Sequence, residues 1–228
     1  MRLLLILLFL TAPAGAECRL ALALAMDVSR SIDAADYVIQ TEGLALALED
    51  AEVQRAILRE SGTVALAVYQ WSGPTHQELL QGWTLIEGPE ALDRVIWAVR
   101  AARRPEVRQL TALGEAMRFG LGLLGQAPPC ARRVLDVAGD GQNNAGISVT
   151  SIRERLDFSG VTVNGLAIGE HEQGLEAYFA RYVIGGPGAF VEVAPRQIDF
   201  APAIRRKLLR ELAGPEIGWL AVPDRPRG

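Results

Sequence analysis

The residues best placed to do chemistry fall in three short groups: Asp27-Val28-Ser29-Arg30-Ser31, Thr111-Ala112-Leu113-Gly114-Glu115-Ala116, and Asp140-Gly141. In the first, a carboxylate and two hydroxyls occupy alternate positions on one turn, so all three can face a single point. Oxygen ligands of that kind suit a hard divalent cation. Alone the pattern carries little, because average residue usage produces an Asp-x-Ser-x-Ser in roughly one chain in twenty of this length. The same residues could also serve a helix start, with Ser31 or Asp33 as the N-cap. Catalytic chemistry finds less support. His76 and His171, the only histidines, stand in polar loops without a Cys or His at metal-ligand spacing, and both are expected to be solvated. A nucleophilic phosphatase would place a second acid two residues after Asp27, where Ser29 stands, and no Gly-x-x-x-x-Gly-Lys-Ser/Thr phosphate loop occurs.

Alternating strands and helices must position these groups. Residues 20–26 form a Leu/Ala run apolar on both faces, as a central parallel strand covered on both sides must be. A helix is expected over 33–49, with Tyr37, Ile39, Leu44, Leu46 and Leu48 spread widely enough to imply heavy burial. A strand follows over 63–71 and a more polar antiparallel edge strand over 77–85, then a helix over 89–101 with Pro89 in its first turn. The second half continues with a helix over 112–124, with Thr111 at its cap, and a strand over 133–138. A helix over 149–156, a strand over 161–168, a helix over 174–183, a strand over 189–193 and a helix over 199–212 complete the order. In the last helix Arg205, Arg206, Lys207 and Arg210 lie toward the C-terminus, where positive charge suits the helix dipole. This order implies an α/β class, a doubly wound, mostly parallel sheet with one antiparallel edge strand and helices on both faces. Ligands of such sheets bind beyond the carboxyl ends of the strands, where all three groups arrive.

In that setting the chain resembles the von Willebrand factor type A, or integrin I-like, domain over residues 18–212. That family's metal-ion-dependent adhesion site reads Asp-x-Ser-x-Ser, then Thr-x-x-Gly-x-Ala, then Asp-Gly, each after the expected element. The resemblance is nearest to an exported bacterial branch carrying a Gly-Asp-Gly-x-Asn-Asn stretch, here 139–144. It implies a Mg2+ or Mn2+ site with Ser29, Ser31 and Thr111 as direct ligands and Asp27 and Asp140 orienting waters. It also implies a non-catalytic binding module whose protein partner offers a Glu or Asp to the metal. A metal-dependent hydrolase or phosphatase on the same rim, or a scaffold with an unused site, are the alternatives. Gly139 stands where many relatives have Thr. Asp136 replaces an apolar residue about 13 Å lower along its strand, so it is no ligand and needs a buried hydrogen-bond partner. Asn143 and Asn144 are expected to serve a turn, Trp71 to pack in the core, and Ser72 to border the metal face.

The opening of the chain fixes the expected compartment. Met1-Arg2, the apolar run 3–10 and Thr-Ala-Pro-Ala-Gly-Ala have the layout of a secretory signal, with cleavage after Ala16. Eight apolar residues span only roughly 12 Å, too short for a membrane anchor. The mature protein is thus expected in the periplasm or outside the cell, as one domain over 17–213 and a tail over 214–228 that packs on it. Loss of Arg2 moves the formal charge from −4 to −5, which disfavours nucleic acid and anionic membranes as partners. No later segment is apolar enough to span a bilayer. Given the family's strand order, Cys18 and Cys130 lie at matching heights on neighbouring strands, nine and ten residues before Asp27 and Asp140. A Cys18–Cys130 disulfide is therefore expected.

Overall fold

A computed structural model describes residues 17–58, 61–106, 109–155 and 160–214. The expected signal segment 1–16 and the tail beyond Gly214 lie outside them. Side-chain size alternates along β1 (Cys18–Asp27), and that alternation sets the layers. Leu20, Leu22, Leu24 and Met26 face one core cluster, while Ala21, Ala23 and Ala25 face the other. Strand β2 (Thr63–Trp71) repeats the pattern, with Val64, Leu66 and Val68 on the first face and Ala65, Ala67, Tyr69 and Trp71 on the second. The alanines leave room that Tyr69 and Trp71, both fully buried, fill near the carboxyl rim. Trp71 is thus a core residue, as the sequence suggests.

The sheet has the order β3-β2-β1-β4-β5-β6. Strand β3 (Gln77–Ile86) pairs antiparallel with β2 and forms one edge, and β4 (Cys130–Gly139), β5 (Val161–Ile168) and β6 (Val191–Ala194) continue parallel to β1. Helices α1 (Ala34–Glu49), α2 (Ala51–Leu58), α3 (Pro89–Ala101) and α7 (Phe200–Ala213) cover the leucine face. Helices α4 (Leu113–Leu124), α5 (Val149–Arg155) and α6 (Leu175–Tyr178) cover the alanine face, and α6 runs on as a π-helical turn over Phe179–Val183. The doubly wound α/β architecture is the one expected. No helix among the described residues is long and apolar enough to cross a membrane.

Several local expectations are corrected. Helix α2 has no counterpart in the sequence reading, although Asp50 caps it, accepting from the backbone N of Glu52 and Val53, and Val53 and Ile57 bury one stripe. In α1, Leu46 is exposed and Gln40, Thr41 and Gly43 are buried instead. Gly43 is there because a Cβ would come within 2.8 Å of Phe200 on α7. Strand β4 begins at Cys130, three residues earlier than the apolar run suggests.

Cys18 pairs in register with Cys130, their Cα atoms lie 4.5 Å apart, and the two form a disulfide. Neighbouring parallel strands sit close enough for that bridge without distortion of the backbone. It closes a loop of sequence separation 112 at the end of the sheet away from the three chemical groups. The Cys18→Ser/Cys130→Ser variant is expected to lose about 2–4 kcal/mol of stability. Equal urea midpoints for oxidised wild type and the variant would refute this.

Candidate functional site

Strand β1 delivers Asp27 and its loop to the carboxyl rim, next to the end of β4, which delivers Asp140. The two neighbouring loops are held by main-chain bonds from the end of β2: Val28 N donates to Trp71 O (2.8 Å) and Ala112 N donates to Ser72 O (2.8 Å). Arg30 N donates to Gln109 O (2.8 Å) and so ties the first loop to the second. The helix-cap use of the first group falls on Asp33 alone, whose Oδ1 accepts from Ala35 N and Asp36 N. Ser31 is left free of capping and projects at the exposed edge.

All five expected residues come together. Ser29 Oγ stands 3.3 Å from both Ser31 Oγ and Thr111 Oγ1, and Ser31 Oγ donates to Asp140 Oδ1 at 2.7 Å. Adjacent corners of an octahedron with Mg2+–O bonds of about 2.1 Å lie about 3.0 Å apart, close to the spacing of these hydroxyls. Asp27 Oδ1 accepts from Ser29 N (2.7 Å). The second oxygens, Asp27 Oδ2 and Asp140 Oδ2, are buried and accept no hydrogen bond. Buried carboxylate oxygens in that state are costly, and a cation with its waters would satisfy both. The donor set therefore fits a divalent cation. Among the described residues no three His, Cys, Asp or Glu side chains gather elsewhere to hold a metal.

The position of Thr111 departs from expectation. The N-cap of α4 is Ala112, without a side-chain cap bond, so the Thr111 hydroxyl is available to turn toward Ser29. Capping comes from the third loop instead: Gly114 N donates to Asn143 Oδ1 (2.9 Å), and Thr111 N donates to Asn144 Oδ1 (2.8 Å). The two asparagines are thus clamps between loops, beyond any service to a turn. Gly114 is required for that closeness, since a Cβ would meet Ile147 O at 2.1 Å.

The family described as protein of unknown function (DUF1194) matches residues 17–216. The chain belongs to that family. Solved structures add the fold. Proximal thread matrix protein 1 from the mussel byssus superposes with a TM-score of 0.64 at 14% identity, over 87% of this chain and 49% of that one. A von Willebrand factor type A protein from Catenulispora acidiphila gives a TM-score of 0.61 at 14% identity, over 86% and 43%. The PilB minor pilin of Streptococcus sanguinis gives 0.61 at 12%, over 89% and 64%. The DUF1194 chain thus has the von Willebrand factor type A fold and spans about half the length of the mussel protein. Among curated proteins none matches its sequence.

Electrostatics at the rim of this DUF1194 domain follow from burial. Asp27 is pushed up to about 8, first by burial and then by the charge of Asp140. Asp140 is also raised, chiefly by burial, with the Ser31 hydrogen bond and the His171 charge opposing. Gly139 admits little more than a hydrogen: a Cβ would lie 3.2 Å from Asp27 Oδ2 and 3.4 Å from Trp71. Ser72 lies buried at the rim, its Oγ without a partner. His171 is exposed as expected, whereas His76 is half-buried in the turn between β2 and β3 with Nε2 enclosed.

Two supporting residues escape any motif. Glu172 Oε2 accepts from Gln142 N (2.8 Å), and Asn143 N donates to the Tyr178 hydroxyl (3.3 Å). Both come from the chain after β5 and steady the Asp140 loop. Their only signal in the sequence is position, following a strand that ends on the same rim.

Proposed function

We propose that this domain is an exported, non-catalytic binding module that holds Mg2+ or Mn2+ at its carboxyl rim and recognises a protein partner through an acidic side chain. Ser29, Ser31 and Thr111 would hold the cation directly, and Asp27 and Asp140 would act through its waters. Bound there, the cation supplies a Lewis-acidic position for a carboxylate. The observation that carries the reading is the gathering of three hydroxyls beside two buried carboxylates whose outer oxygens have no partner. A site built mostly of neutral oxygens leaves the cation short of negative charge, so it favours an anionic ligand from outside. Ser31 lies at the exposed edge, which is where such a ligand can enter. The mussel protein, solved with a zinc-occupied adhesion motif, and the pilus proteins among the structural neighbours support binding as the class of activity. The disulfide supports residence in an oxidising compartment.

Titration calorimetry with Mg2+ and Mn2+ tests the site. Binding of one ion per chain is expected in the wild type and none in Asp27→Ala/Asp140→Ala, with the far-ultraviolet spectrum unchanged. A glutamate-containing peptide should then bind the metal-loaded protein and dissociate on chelation. Wild-type metal affinity in the double variant would refute the site. Metal-dependent release of phosphate from an aryl phosphate, lost in Asp27→Ala, would replace the module by a hydrolase.

A further inference from the structure

We propose that the domain carries a second ligand site, for a small organic anion bearing a carboxylate or phosphate, at the end of the sheet opposite the metal-facing rim. A cavity of about 680 Å3 opens there between the start of β4, β5 and the last turn of α7. That volume lies within the roughly 300–1,000 Å3 usual for small-molecule sites. Arg132, Arg133 and Arg210 line it together with Phe190, and the buried Asn164 and Glu211 close its inner side.

Charge is what singles the cavity out. Elsewhere Arg100, Arg118, Arg196, Arg205 and Arg206 each lie within ion-pair distance of a carboxylate. Among the described residues no carboxylate stands within 4.0 Å of Arg132, Arg133 or Arg210. Glu211 offsets them only in part: its Oε1 accepts from Lys207 (2.6 Å) and Asn164 (2.9 Å), and its charge acts on Arg132 more weakly than that of Arg19. Three guanidinium groups thus converge on a concave space in a chain whose formal net charge is −4. Burial first, and then the charge of Arg19, push Arg132 below the ordinary guanidinium value against the pull of Glu211, a cost that an anion would offset.

Two of the arginines are also oriented in advance. Arg132 Nη2 donates to Glu211 O (2.9 Å) at the end of α7, which fixes its plane and leaves its other N–H groups for a ligand. The Arg210 guanidinium lies 3.8 Å from the Phe190 ring centre, stacked on its face. Planar forks held in place suit the paired oxygens of carboxylate and phosphate, and less ordering is lost when the ligand arrives. Phe190 gives the carbon part of the ligand an apolar wall.

The chain from residue 17 onward, kept in chelator so that the rim cannot hold a metal, should be titrated with inorganic phosphate, glycerol 3-phosphate and citrate, with glycerol as the uncharged control. One-to-one binding of at least one organic anion, tighter than inorganic phosphate, is expected, and none for glycerol. Arg133→Gln and Arg210→Gln should each weaken it about tenfold or more while leaving the unliganded melting temperature in place. Asp27→Ala should leave it unchanged. Three results would overturn the proposal. The first is no binding of any probe, and the second is equal binding by the Arg133→Gln/Arg210→Gln variant. The third is binding that appears only after removal of residues 215–228, which continue from Gly214 at the cavity edge and would then be its occupant.

Discussion

Exchange of Lys207 for methionine is expected to destabilise the fold by about 3–5 kcal/mol, among the largest losses open to a single substitution here. Lys207 is fully buried, with Nζ 2.8 Å from Asp136 Oδ1 and 2.6 Å from Glu211 Oε1. It is the ion-pair partner of the buried Asp136, whose oxygens accept no well-aligned hydrogen bond, and it comes from the helix that covers the strand. Burial and the neighbouring Glu211 charge push Asp136 up to about 7, against the pull of Lys207. With Asp136 protonated the three side chains carry one positive and one negative charge, so the cluster enters the core nearly neutral. Methionine matches the stem of lysine but removes that cation, leaving two carboxyl groups and Asn164 to share a dry space. Urea unfolding in chelator should show the loss as a lower midpoint with an unchanged slope. Lys207→Met/Asp136→Leu/Glu211→Leu should recover much of it, since apolar replacement of a whole buried ion cluster is often neutral or better. A loss below about 1 kcal/mol in the single variant would show that the cluster contributes little.

Lys207 also shows where sequence reading stops. Counted along the helix, it belongs to a basic run suited to the dipole of α7, and three of its companions behave as surface residues do. Arg205 pairs with Asp50 and Glu52, Arg206 pairs with Glu192, and Arg210 stacks on Phe190. Helical spacing does set Lys207 on the inward stripe of Ala203, Ile204, Leu208 and Leu212, with Glu211 four residues on, but its other partner, Asp136, lies on a strand distant in sequence. The strands of the sheet were legible because burial on both faces forces continuous apolar runs, and the ends of β2 and β5 fall where those runs end. The five rim residues were legible because their spacing is local to three loops. The clamps were not. Asn143, Asn144, Glu172 and Tyr178 hold main-chain groups across loops, a role that any residue with an oxygen at the right place can fill. The spacing of Thr111 sets it at the rim, and the cap role that its position also suggests belongs to Asn143.

Mg2+ is expected to stabilise the domain more as pH rises, and Asp27→Asn to abolish that effect. Asp27 has an ordinary value of 3.8 and is pushed up to about 8 in the folded protein, by burial first and the Asp140 charge second. Folding therefore favours its protonated form. Its contribution to the stability of the metal-free protein is fully present below 3.8 and is lost as pH rises through about 8. Asp136, pushed up to about 7, adds a loss of the same sign that the metal cannot relieve. A divalent cation at the rim would compete with the Asp27 proton, so binding would release a proton near neutral pH and tighten up to about pH 8. At a hundred times its dissociation constant the ion adds about 2.7 kcal/mol, which raises the melting temperature of a domain this size by roughly 5–10 °C. Melting curves at fixed Mg2+ should show a shift at about pH 8 well above that at about pH 6. In Asp27→Asn the metal-free protein should be more stable than wild type at the higher pH, since a neutral amide replaces a buried charge, and added Mg2+ should change nothing. The pH slope that survives in this variant belongs to Asp136 and to Asp140, which burial also raises, and should shrink on adding Asp136→Asn. An equal Mg2+ shift at both pH values, or one retained in Asp27→Asn, would separate Asp27 from the metal and place the ion elsewhere.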